Sequence, residues 1–209
     1  MSEKTNPPVT TQASASSLGA RLRAKAPELA FEMISIGLAV MAALAVDQWR
    51  QSRADADLAE TARAGVIDEL VSNRGELEHA LNENTALLAA LNEELSNDDD
   101  SISINIQFEF ALVSTAAWET AQSTGATRHL DFDWVVDISR LYRLEVLFEE
   151  SQARVVEAIG DFMAPDNADV APRLRELRQQ LQLTISLTRN VIDATNELLD
   201  RDPELISTG

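Results

Sequence analysis

The chain has no cysteine, which rules out a disulfide framework, a thiolate metal site and a cysteine nucleophile. Histidine is nearly as scarce. The only two, His79 and His129, fall in different segments, and neither has the HExxH or HxxEH context that a zinc site requires. A di-iron bundle needs two Glu-x-x-His motifs on separate helices. Glu76 precedes His79 at that offset, but Ala126 holds the matching place before His129. There is no GxSxG, no Walker loop and no GxGxxG. These absences describe a non-catalytic protein without metal or cofactor.

Basic charge is also short. Seventeen Lys and Arg face thirty-five Asp and Glu, for a net charge of −18. The imbalance is uneven: residues 1–46 carry four basic and three acidic side chains, and residues 47–209 carry 13 and 32, a balance of −19. Such a surface repels phosphate backbones, so nucleic acid is excluded as a partner.

Long apolar runs are absent except for one. Met33 to Val46 reads MISIGLAVMAALAV, and extension back to Leu29 gives 18 residues with a single charge, Glu32. At about 1.5 Å per residue this is about 27 Å of helix, enough to cross a hydrocarbon core. Trp49 suits the interface beyond it. A cleaved leader competes, because Ala43-Leu44-Ala45 fits a small-x-small site; Glu28, Glu32 and the long preceding segment argue against it. A buried helix of a soluble bundle is a third reading. Arg21, Arg23 and Lys25 before the run balance Arg50, Arg53 and Arg63 after it, so flanking charge does not orient a span. Long acidic segments translocate largely regardless of charge, which favours an N-terminus inside and the acidic part outside, in a periplasm.

On a helix, Ser35, Ala39, Ala43, Asp47 and Arg50 point within about 60° of Glu32. Small residues every four positions form a face another helix can approach, with Glu32 finding a partner there. The plainer alternative lets Glu32 reach headgroup water and treats the alanines as ordinary span residues.

Between Asp47 and Leu95 there is no proline and only Gly65 and Gly75. A seam in steps of three and four runs Ile67, Leu70, Arg74, Leu77, Leu81, Asn84, Leu88, Leu91, Leu95, the pattern of a coiled coil or bundle helix. Asn84 either fixes register or lies exposed at a wide interface. Ser96 to Ser101 (SNDDDS) ends the helix as a solvated turn, without calcium-loop spacing. Ile102, Ile104, Ile106, Phe108 and Phe110 alternate with polar residues, but no second strand pattern exists to pair with them. An extended segment laid along the bundle is expected. Leu112–Ser123 reads as a short helix closed by Gly125 at C′. Asp131 caps a helix from Phe132 to about Met163, and Pro172 opens another that runs to about Leu199. Trp118-Glu119 is the most distinctive pair of the acidic part. It is either a polar hinge, with Glu119 or Gln122 bonding a neighbour, or plain core packing of Trp118 beside a solvent-facing Glu119.

The fold expected is all-α: a transmembrane helix continuing into a long helix, followed by an antiparallel helical bundle. Residues 1–27 form a disordered tail with a basic cluster ahead of a first-turn proline, Pro27. Residues 28–48 form the span, 49–202 the acidic bundle and 203–209 a second tail. The junction Ala43-Leu44-Ala45-Val46-Asp47-Gln48-Trp49-Arg50 and the segment Ala116–Ala126 (AAWETAQSTGA) resemble an uncharacterised family of bacterial single-pass membrane proteins. That resemblance covers about residues 28–150, implies a retained span in the inner membrane and brings no known activity. Two readings of function follow. One is a membrane-anchored scaffold whose partners are the lipid bilayer and a second copy or another membrane protein. The other is an extracytoplasmic sensory or ligand-binding four-helix module acting through a partner.

Overall fold

The computed structural model describes residues 15–96, 104–164 and 170–201, with side chains described from residue 30 onward. The expected tails at 1–14 and 203–209, the acidic turn at 97–101 and Ile102 lie outside the described residues. The described chain is all-helical apart from one extended stretch: α1 (Ala15–Ser96), α2 (Ala116–Ser123), a 3-10 turn (Ala126–His129), α3 (Phe132–Met163) and α4 (Val170–Asp200). It divides into two compact units, residues 1–54 and 55–209, and α1 contributes to both.

In the first unit α1 begins at Ala15, well ahead of Pro27, which is therefore not its first-turn residue. The segment expected as tail is helical from Ala15 on, in keeping with the Leu and Ala of 15–26, strong helix formers. Pro27 leaves the carbonyl of Arg23 without an intrahelical donor, a local cost the surrounding helix absorbs. From residue 30 to residue 54 every side chain is exposed, Phe31 at 76% and Met41 at 68% among them.

The second unit is a four-element bundle running up, down, up, down, and hydrogen bonds set each direction. Arg201 at the end of α4 pairs with Asp137 at the start of α3 at 2.6 Å, so these two helices are antiparallel. Glu69 and Asn73 of α1 bond Tyr142 and Glu145 of α3, in the same order along both, so α1 and α3 are parallel. Arg74 reaches Asn196 of α4 at 3.0 Å.

The second, descending element is composite. Its first half is extended, and its second half is α2. Asn84 bonds Glu109, and Asn73 bonds Ser114. Eleven residues of helix and five of strand both span about 16 Å, so this stretch is fully drawn out antiparallel to α1. The expected extended segment is thus present. Ile104, Ile106 and Phe108 pack on the core formed by Leu87, Leu91, Val155, Leu174, Leu177 and Leu181. A second core gathers Val66, Leu70, Leu77, Trp118, Ile138, Leu141, Phe148 and Val191.

Two local expectations shift. Helix α2 starts at Ala116 rather than Leu112, because the residues before it are held extended by Asn73 and Gln152. The buried face of α1 from Val66 on is Val66, Ile67, Leu70, Asn73, Leu77, Ala80, Asn84, Leu87 and Leu91. Arg74, Leu81 and Leu88, expected in it, sit one residue to the side and are half-buried. A bundle helix covered from several directions buries a wider face than a two-helix seam does. The remaining caps match. Asp131 Oδ1 accepts from Trp134 N at 3.0 Å. Gly125 has φ 78°, the left-handed conformation glycine adopts at no steric cost. Leu174, Leu177, Leu181, Ile185, Val191 and Leu198 all face inward.

Candidate functional site

The polar interior of the bundle is its distinguishing feature, and three carboxamides tie it to the extended segment. Each grips the main chain of one residue in the extended segment by both the N–H and the C=O. Asn84 accepts from Glu109 N at 3.0 Å and donates to Glu109 O at 2.8 Å. Gln152 accepts from Ala111 N at 3.0 Å and donates to Ala111 O at 3.2 Å. Asn73 accepts from Ser114 N at 2.8 Å and donates to Ser114 O at 2.9 Å. A carboxamide presents one donor and one acceptor side by side, as a neighbouring strand does. Amides from α1 and α3 therefore stand in for the missing partner strand and satisfy backbone groups that burial would otherwise leave costly.

Glu69 continues this arrangement into α2. Its Oε2 accepts from Ala117 N at 2.8 Å and Ser114 Oγ at 2.7 Å. Its Oε1 accepts from Tyr142 OH at 2.5 Å and Trp118 N at 3.4 Å. Thr115 at the N-cap makes no side-chain cap bond, so a carboxylate from another helix caps α2 and meets its N-terminal dipole. Trp118 stacks on Tyr142 at 5.7 Å with the rings 7° from parallel. Burial, reinforced by the bond to Glu69, holds the Tyr142 phenol protonated far above its ordinary range.

Beneath this layer lies Glu145, 1% exposed. Its Oε1 accepts from Asn73 Nδ2 at 3.4 Å; its Oε2 has no partner among the described residues. Burial raises its pKa to about 7, with the Asn73 bond opposing and the charges of Glu69 and Glu149 adding to the rise.

The residues singled out in the sequence fall elsewhere. Glu32, Ser35, Ala39, Ala43, Asp47 and Arg50 are all exposed on α1 in the first unit, along one stripe of the helix. Trp118 is core packing. Glu119 faces outward, accepting from Thr115 Oγ1 at 2.9 Å, and Gln122 is exposed, so neither bonds a neighbouring helix as a polar hinge would. Asn84 is 4% exposed and clamps Glu109, so it is not the exposed residue of a wide interface. His79 pairs with Glu109 at 3.8 Å and His129 with Asp55 at 3.9 Å; among the described residues no metal-binding group forms.

Glu69, Asn73, Tyr142, Glu145 and Gln152 were not singled out, although a signal for two of them exists. Ile138, Leu141, Glu145, Phe148, Gln152 and Val155 form an unbroken three-four seam in α3, with Glu145 and Gln152 at apolar positions.

One apolar groove of about 320 Å³ opens between Leu58, Thr61, Ala62 and Gly65 of α1 and the Ala117, Thr120 and Thr124 side of α2. Its threonine hydroxyls are spent on their own helices: Thr61 bonds Asp57 O, Thr120 bonds Ala116 O and Thr124 bonds Thr120 O. The groove therefore presents methyl groups rather than converging polar atoms. No protein-family model, curated protein or solved structure matches this chain.

Proposed function

We propose that the protein is a non-catalytic, single-pass membrane-anchored scaffold, with the acidic bundle as its interaction domain. The observation that carries this reading is the apolar stretch of α1. It is long and apolar enough to cross a membrane, with mean hydropathy 1.8 over an 18-residue window, and none of that window is buried within the chain. Such a surface is costly in water, at about 25 cal/mol for each Å² of apolar area, and a bilayer is the solvent that relieves it. The bundle, by contrast, closes its own cores.

The compartment is part of the proposal: a bacterial inner membrane with the bundle in the periplasm, in line with the junction at Ala43–Arg50 and the family resemblance. So is association through the stripe of Glu32, Ser35, Ala39 and Ala43, with a second copy or another membrane protein as the partner. The seam of α1 between Val66 and Leu91 is covered by the chain's own α3, α4 and extended segment, which leaves the stripe as the more open helix face.

Affinity capture of the full-length protein from solubilised membranes, beside a span-deleted control, tests the scaffold reading. Partners lost with the span support association through it; the same partners from both proteins sink that idea. The absence of cysteine makes orientation a clean measurement. Ser186→Cys, at an exposed site on α4, should react with a membrane-impermeant maleimide in cells with a permeabilised outer membrane. Labelling only after cell lysis overturns the periplasmic placement.

A further inference from the structure

We propose that Glu145 is a proton-binding site that latches the extended segment and α2 onto α1, closed while Glu145 carries a proton and loosened when it is ionised. The geometry carries this. Glu145 sits at a seam position of α3, 1% exposed, with Oε2 lacking a donor among the described residues. Its one bond comes from Asn73 Nδ2, the same amide nitrogen that donates to Ser114 O. Glu69 acts on it across the cluster while accepting four hydrogen bonds from Ser114, Ala117, Trp118 and Tyr142. Four donors make Glu69 an acceptor-only carboxylate, already committed to holding α2.

A proton taken from solvent onto Oε2 leaves one anion in the cluster, the half-buried Glu69. Its release leaves two, Glu69 and Glu145, whose charges oppose one another. The further anion acting on Glu145 is Glu149 of its own helix; the phenol of Tyr142 stays neutral, donating to Glu69. Among the described residues, the extended segment, α2 and α4 supply no charged group that shifts Glu145. Ionised Glu145 therefore draws the Asn73 amide towards itself and repels Glu69, the two residues that fasten Ser114, Ala117 and Trp118. Hydrating the second carboxylate requires that fastening to open. Burial and the neighbouring anions place the transition near neutrality, at about 7 against an ordinary value near 4.5.

The inference stands without the membrane assignment. Its test is amide hydrogen exchange of the full-length protein in detergent micelles, with rates normalised to intrinsic exchange at each pH. The opening equilibrium of the Ser114 and Ala117 amides should rise about thirtyfold between pH 5.5 and 8.5, from linkage between those two pKa values. In Glu145→Gln, which keeps the shape of the neutral acid, it should stay flat. A flat wild type, or an equal rise in both proteins, overturns the proposal. Should the variant fail to fold, carboxyl carbon-13 titration of the wild type decides. One glutamate titrating near neutrality supports the latch, and none doing so refutes it.

Discussion

Replacing Gln152 by leucine removes both bonds to Ala111 while nearly preserving side-chain volume. Ala111 is 2% exposed, so its N–H and C=O cannot turn to bulk water when the carboxamide is lost. Each orphaned buried group costs about 1–3 kcal/mol, and the added apolar contact of leucine returns part of that. A net loss of about 2–4 kcal/mol is expected, a large share of the about 5–15 kcal/mol that holds a typical domain together. Urea unfolding of full-length protein in a non-denaturing detergent, followed by far-ultraviolet circular dichroism, measures it as a lower midpoint at unchanged slope. Gln122→Leu is the matched control. That carboxamide is exposed, and its loss should stay within about 0.5 kcal/mol. If Gln152→Leu also stays within about 0.5 kcal/mol, the carboxamide does not substitute for a strand, and the account of the extended segment fails.

The other carboxylates and caps give independent checks. Glu69→Ala strips the cap from α2 and the acceptor from Tyr142, and should cost about 2–4 kcal/mol in the same unfolding assay. Because folding raises the pKa of Glu145, its contribution is fully present below about pH 4.5 and is lost as pH rises to about 7. Glu145→Gln should therefore gain about 3 kcal/mol over wild type at pH 8 and lose that advantage towards pH 4.5, as read by unfolding midpoints across pH. Gly125→Ala forces a side chain into left-handed backbone at φ 78° and should lower stability by about 1–2 kcal/mol by thermal unfolding. Asp131→Ala should cost about 1 kcal/mol in that assay, since Trp134 N loses its acceptor.

Local rules made much of this fold legible. The three-four spacing of leucines, Asp131 before an apolar run and Gly125 after one each act within a few residues, so sequence alone exposes them. The extended segment was legible as well, since five alternating apolar residues without a partner strand must lie on something else. What held it there was not. A search for apolar residues at helical spacing passes over Asn73, Glu145 and Gln152, and it shifts the α1 seam towards Leu81 and Leu88, because Leu81 is more apolar than its neighbour Ala80 and Leu88 follows it one heptad on. The role of Glu69 depends on contacts with residues 45 to 73 positions away, which no local pattern encodes.

The polar seam also accounts for how one register is chosen. A slip of one heptad carries Leu70 into the apolar surroundings of Leu77, so apolar burial there does not by itself discriminate between registers. The two asparagines that grip the extended segment from α1 are eleven residues apart, Asn73 and Asn84, which is not a multiple of seven. A slip of seven cannot move one into the other's place. It strips both clamps and leaves the N–H and C=O of Glu109 and Ser114 without these partners. The two residues are only partly covered, so each group costs less than the about 1–3 kcal/mol of a fully buried one, but four are lost together and the slip is disfavoured. Carboxamides placed in an otherwise leucine-rich seam thus give up some apolar burial and gain a single alignment of α1, the extended segment and α3. The same alignment brings Asn73 under Glu145, so the device that fixes register is also the one through which a proton at Glu145 acts on it.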